Sequence, residues 1–166
     1  MKWSAAALAA SALLCSCSLL RNHGPVQVGQ PMPKLSFQTL DGAQTTLVPA
    51  AGRVTFVNVF ATWCPPCKAE TPDLAAFAVR ESAKGVDVIG IDQEETPARV
   101  QGFRERYHIA YPMLIDTGRE TKDVLGARII PRTIVIDGTG TVRAIVSGPM
   151  TADQMLQLAA AAGAGS

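Results

Sequence analysis

Histidine and charge are both scarce in this sequence, and each shortage narrows what the chain can do. Only two histidines occur, His23 and His108, and neither has the ligand spacing that a metal site needs. Charged residues make up 17% of the chain, with 15 Lys and Arg against 14 Asp and Glu. The resulting formal charge of +1 gives no electrostatic footing for nucleic acid or an acidic surface. Internal repeats are lacking as well. With 48% hydrophobic residues, low charge describes a globular chain and not a disordered one. A length of 166 residues suffices for one domain with a proper core and an appendage. Composition excludes extremes and names no activity.

Cysteine is sparse but placed in pairs, Cys15/Cys17 and Cys64/Cys67. The first pair lies in MKWSAAALAASALLCSCSLL, where Lys2 supplies a positive end and Trp3 to Ser16 is an uncharged, Ala/Leu-rich run. Residues 1–20 therefore read as an export segment, which places the chain in the periplasm or cell envelope, where disulfides persist. Leu14-Cys15-Ser16-Cys17 looks like a bacterial lipobox, with Cys17 the lipidation candidate, because Cys15 would follow bulky Leu14. Ordinary cleavage and an uncleaved anchor are the alternatives, since the apolar run is nearly long enough to span a bilayer. A disulfide between Cys15 and Cys17 is disfavoured by geometry.

Residues 21–34, RNHGPVQVGQPMPK, are polar and rich in Pro and Gly, and read as a linker into a domain over 35–162. LSFQTL, the turn Asp41-Gly42 and AQTTLV predict an N-terminal β-hairpin. Val54 to Phe60 is apolar almost throughout, as in a strand covered on both faces. A helix should begin at Cys64 with Leu74, Phe77 and Ala78 on one face, and Pro72 predicts a kink. Val86 to Ile91 reads as a strand, and Thr96-Pro97 as a cap and first-turn proline before an apolar stripe of Val100, Phe103 and Tyr107. A short strand from Pro112 to Ile115 and a short helix near Arg119 to Leu125, ending at Gly126, follow. Thr133–Ile136 and Thr141–Val146 flank a second turn, and Thr151 with Gln154 resembles a capping box opening a last helix. Residues 163–166 are expected to be a flexible tail. The alternation implies an α/β fold with a mixed central sheet and helices on both faces.

The chemistry sits in TWCPPCKAE, residues 62–70. A C-x-x-C at a helix start, directly after a buried strand, has a physical logic. The helix end offers partial positive charge and free N–H groups, which favour thiolate over thiol. The spacing puts Cys64 at an exposed cap and Cys67 one turn inside, close enough for a disulfide. Cys64 would attack a substrate disulfide and Cys67 resolve the mixed intermediate. Half of a zinc site reads the same way, but four ligands are needed and the other cysteines lie in the export segment. No metal or other cofactor is expected.

VNVFATWCPPCKAETP resembles the active-site strand and helix of thioredoxin-fold proteins, and in particular the exported TlpA/ResA-like thiol–disulfide oxidoreductases, which include cytochrome c maturation thioredoxins. The likeness runs from about Val28 to Leu158 and includes the N-terminal hairpin, the extra helix–strand insert between Thr96 and Ile115, and Ile130-Pro131-Arg132-Thr133. It implies a thioredoxin-like fold. It makes Cys64 and Cys67 the redox pair, Trp63 the aromatic beside them (a core-edge tryptophan is the alternative), and Pro131 a cis-proline opposite the disulfide. The backbone of Ile130 would then pair with a substrate chain. Asn58 stands where thioredoxins place a buried aspartate that moves protons, and an amide cannot titrate. Glu70 occupies the position of the family's active-site glutamate, three residues after Cys67 and on its helix face. There it would exchange a proton with Cys67, or else simply face water. Glu94, Glu95, Arg104, Glu105 and Arg106 read as solvated faces. Arg128 and Arg132, bracketing Pro131, colour substrate choice or belong to the surface.

With Cys64 as cap, Pro65 and Pro66 take the first two helical positions, and neither has an N–H. The amide of Cys67 is left to bond the sulfur, a contribution of roughly 1.5–3 kcal/mol. The expectation is a moderately nucleophilic Cys64 and a reducing couple. The protein is expected to be a monomeric, membrane-tethered reductase, and the resemblance implies its electron donor and clients. It would draw electrons from a membrane thiol donor and serve disulfide-bearing clients such as apocytochrome c or copper-site assembly proteins. A disulfide oxidase or isomerase is the alternative. A peroxiredoxin would need Thr-x-x-Cys, and a copper chaperone C-x-x-x-C with a late histidine; neither pattern is present.

Overall fold

The computed structural model describes residues 25–164; the expected export segment over 1–20 and the lipidation candidate Cys17 lie outside the described residues. The chain order is β1 (Leu35–Thr39), β2 (Gln44–Leu47), β3 (Val54–Phe60), α1 (Pro65–Glu81), β4 (Val86–Gln93), α2 (Pro97–Arg106), β5 (Met113–Asp116), α3 (Glu120–Asp123), β6 (Arg132–Ile136), β7 (Val142–Ser147) and α4 (Ala152–Ala161). One seven-stranded sheet runs β2-β1-β5-β4-β3-β6-β7. Its centre, β5-β4-β3, is parallel, while the flanking pairs β1–β5 and β3–β6 are antiparallel. The sheet is therefore mixed and thioredoxin-like, with α2 and β5 forming the expected insert.

Central β3 is buried along its whole length. Side chains alternate across a strand, so Val54, Phe56 and Phe60 enter one core with residues of α1, α2 and α4. Val57 and Val59 enter a second, with Val124 and Leu125 just after α3. This explains why VTFVNVF carries no polar alternation. The predicted face of α1 is the buried one: Leu74, Phe77 and Ala78 all join the first core, where Phe77 meets Phe56 edge to face at 5.0 Å. Pro72 lies inside α1, which remains one helix. Beside it the Thr71 hydroxyl donates to the Cys67 carbonyl at 2.7 Å.

Polar side chains lock the turns. Buried Asp116 accepts from the backbone N–H groups of Gly118, Glu120 and Thr121 and from the Thr121 hydroxyl. That carboxylate satisfies the donors that open α3. Thr151 and Gln154 form the predicted capping box on α4. Thr96 takes the extended cap backbone of α2, but its hydroxyl makes no capping bond.

Two boundaries differ from expectation. The described part of the linker is docked, not free: Val26 N–H donates to Val124, Gly29 to Val142 and Met32 to Gly140, and Pro31 bridges to Thr141. Backbone complementarity to the β6–β7 turn thus holds a stretch whose composition is that of a tether. At the other end, Gly163 has φ 96° and its N–H bonds to Ala160 while Ala164 bonds to Ala159. These close α4 in the manner of a glycine-terminated helix, so residues 163 and 164 belong to the fold. Among the described residues, no helix is long and apolar enough to cross a membrane.

Candidate active site

The turn leaving β3 closes with a bond from Cys64 N–H to the Ala61 carbonyl at 3.1 Å. Cys64 is the N-cap of α1 with an extended backbone (φ −77°, ψ 115°), and Pro65 and Pro66 fill the first two helical positions. Proline suits the helix start because the N–H it lacks has no intrahelical partner there. The first donor the helix offers is the Cys67 N–H, which points at Cys64 Sγ from 3.3 Å, as the sequence predicts. Cys64 and Cys67 are joined as a disulfide, with Cα atoms 5.3 Å apart.

Antiparallel pairing of β6 with β3 sets Asn58 beside Thr133 and Val59 beside Arg132. That register carries the preceding Ile130–Pro131 bond, which is cis, up to the cysteines. The Ile130 carbonyl oxygen lies 3.8 Å from Cys64 Sγ. The expected exposure of Cys64 is not observed. The residue is only 2% exposed, because the disulfide folds its sulfur toward α1 and the cis-proline turn stands against it. Its neighbours Pro65 and Pro66 are exposed, as is Trp63 at 60%, so Trp63 is not a core-edge residue.

Glu70 does not face water. It is 3% exposed, and burial pushes its carboxyl up to about 7 despite an opposing Met150 backbone N–H. Asn58 Nδ2 donates to Glu70 Oε1 at 3.4 Å and to Thr133 Oγ1 at 2.9 Å, while Glu70 Oε2 has no partner. A buried carboxyl that titrates near neutrality, one helical turn from Cys67, can accept or release a proton there. Arg132 is held inward, donating to the Leu125 carbonyl and Ser147 hydroxyl, and so braces the loop. Arg128 is exposed.

Glu95 is the residue the sequence conceals. It reads as a solvated turn glutamate, yet its side chain is 7% exposed and accepts from both the backbone N–H (2.5 Å) and the hydroxyl (2.7 Å) of Thr62. Beside it, fully buried Asp92 accepts from the Glu95 backbone N–H at 2.9 Å. Burial and the neighbouring Glu95 push Asp92 up to about 8. Against burial, hydrogen bonds from Asp92 and Thr62 hold Glu95 below its ordinary value. The only signal was an acidic pair three residues apart at a strand exit. Among the described residues, no group of three or more His, Cys, Asp or Glu side chains is arranged to hold a metal ion.

Comparison with known proteins agrees with this geometry. The Redoxin family profile matches residues 27–162. The chain is 30% identical over 130 residues to the thiol-disulfide oxidoreductase ResA of Bacillus thuringiensis, covering 78% of this chain and 75% of that one. Its fold superposes on a thioredoxin-family thiol:disulfide interchange protein from Chlorobium tepidum with TM-score 0.72 and 28% identity, over 83% of this chain and 99% of that one. A secreted thiol-disulfide isomerase from Corynebacterium glutamicum gives TM-score 0.70 and 28% identity, over 77% and 82%. With a helix-capping cysteine pair facing a cis-proline, on this sheet and with these relatives, the chain belongs to the redoxin family and is a thiol–disulfide oxidoreductase of the ResA-like, thioredoxin-fold kind.

Proposed function

We propose that this oxidoreductase works as an exported, membrane-tethered reductase of disulfides in client proteins. The observation that carries the direction of electron flow is the single amide, from Cys67, on Cys64 Sγ, with prolines at the two preceding positions. A sparsely stabilised thiolate disfavours the reduced dithiol and makes the couple reducing. The Cys64 thiolate attacks one sulfur of the client disulfide; a mixed disulfide forms and the other client sulfur leaves as thiolate. Cys67 passes its proton to Glu70 and attacks Cys64 Sγ. The second client thiolate is released and the Cys64–Cys67 disulfide closes. Two electrons have moved to the client, and a membrane thiol donor restores the dithiol by the reverse exchange.

The export segment at 1–20, with Cys17 as lipid anchor, supports work in the periplasm or cell envelope, on clients such as apocytochrome c or copper-site assembly proteins. The test is Cys67→Ser, which strands the mixed disulfide on Cys64 for identification by mass spectrometry, together with the midpoint potential of the Cys64–Cys67 couple. Trapped client and a potential near −270 mV, the range of reducing thioredoxin, support the reading. A potential near −120 mV, as in strong oxidants, sinks it. The second reading, an isomerase, is favoured by the secreted isomerase relative, and predicts rescue of scrambled disulfides by the reduced protein.

A further inference from the structure

Glu95 and Asp92 stand outside the exchange chemistry, yet they grip the segment that carries it. Parallel pairing sets Asp92 beside Phe60, the last residue of β3, so the exit of β4 lies next to the start of the active-site turn. Glu94 takes a left-handed backbone, φ 66°, which reverses the chain after β4. Glu95 thereby turns back so that its carboxylate takes both hydrogen-bond donors of Thr62. Thr62 is the second residue of the turn that the Cys64 N–H closes on Ala61. Asp92 fixes the Glu95 backbone from below, and its side chain also shares a hydrogen bond with the Glu95 carboxyl. A carboxylate with two donors from one residue is a rigid clamp, because charge-assisted bonds are the strong ones.

We infer that Glu95, seated by Asp92, is a positioning residue for Cys64: by clamping Thr62 it fixes the Ala61–Cys64 turn and keeps Cys64 Sγ in line with the Cys67 N–H. The charged groups facing the pair are Arg99 of α2, whose Nη1 is 3.7 Å from Glu95 Oε1, and Glu94, which is itself paired with Lys122 beyond β5 at 3.0 Å. At neutral pH a proton on Asp92 keeps the two carboxyl groups compatible. As that proton leaves, two like charges share one buried site, and the clamp on Thr62 loosens.

The clamp and a simple charge effect have opposite signs. Removing a negative charge near a thiol lowers its pKa, whereas releasing the clamp weakens the N–H···S bond and raises it. Glu95→Gln, which has one carbonyl oxygen for two donors, is expected to slow alkylation of reduced Cys64 at pH 7 about tenfold. The midpoint potential should become more negative by about 30 mV, the equivalent of a tenfold change in the exchange constant. Unchanged or faster alkylation overturns the inference.

If Glu95→Gln does not fold, the full-length wild-type protein decides through hydrogen exchange of the Thr62 amide. Its protection factor should fall at least fivefold between pH 7 and pH 9.5 and stay level in Asp92→Asn. A level factor in the wild type, or the same fall in Asp92→Asn, overturns the role of the pair. The inference rests on Cys64 being the reactive sulfur. Mapping the alkylated residue in the wild type tests that separately, since modification at Cys67 would fault the reaction scheme and not the clamp.

Discussion

Asn58 Nδ2 and Glu70 Oε1 face each other at 3.4 Å, an amide where thioredoxins keep an acid and an acid one helical turn past Cys67. Burial raises Glu70 to about 7, against about 4.5 for the unfolded chain. The native state therefore holds the proton more tightly than the unfolded one. Its contribution to stability is full below pH 4.5 and is lost as pH rises through 7. The loss approaches roughly 3 kcal/mol. Glu70→Gln, which keeps the shape and cannot ionise, should make the oxidised protein more stable at pH 8 by about 2 kcal/mol and change little at pH 4. Urea unfolding at the two pH values measures this. Equal stabilisation at both would mean that burial is not what holds the proton.

Asn58→Asp places a second carboxyl against Glu70. Two buried acids with one donor removed cannot both ionise, so stability at pH 8 should drop by about 2–3 kcal/mol. The drop should shrink on acidification to pH 4. Chemical denaturation across that range reads the slope; a pH-independent loss would point to packing instead of charge.

Pro66→Ala restores an amide at the second helical position. If donors on Cys64 Sγ set the couple, the Cys64 thiol pKa falls by about one unit and the potential rises by about 30 mV. Iodoacetamide kinetics against pH and equilibration with glutathione give the two numbers. A lower potential would overturn the proposed control by prolines.

Asp116→Ala strips four donors of their acceptor at the start of α3. Buried donors left unpaired cost about 1–3 kcal/mol each before water enters, and an overall loss of about 3 kcal/mol is expected, with the alkylation rate of Cys64 unchanged. Thermal unfolding followed by circular dichroism checks the first, and the kinetic assay the second.

The features legible in the sequence are those governed by near neighbours. Cys64 as cap, the two prolines, the single Cys67 amide, the hairpins and the Thr151–Gln154 box all depend on residues within one turn. Pro131 as cis came through family likeness, since its local sequence alone would leave it trans. What stayed hidden depends on contacts between distant segments. Glu95 sits in EET-P, a composition suited to a wet helix start, and is buried only because β4 runs beside β3 and delivers it to Thr62. Residues 25–32 read as tether because nothing in them announces that β7 and the loop after α3 will supply their hydrogen-bond partners. Cys64 looks exposed from its cap position, but the cis-proline loop, some 66 residues away, closes over it.

The docked strap from Pro25 to Met32 sets a working radius. If Cys17 carries the proposed lipid, only the seven residues 18–24 separate the anchor from the first strap residue, at most roughly 28 Å of extended chain. A fully loose linker to Leu35 would have more than doubled that reach. The disulfide would then patrol a thin shell above the bilayer, meeting clients that are themselves held at the membrane or newly emerging from it far more often than those adrift in the bulk.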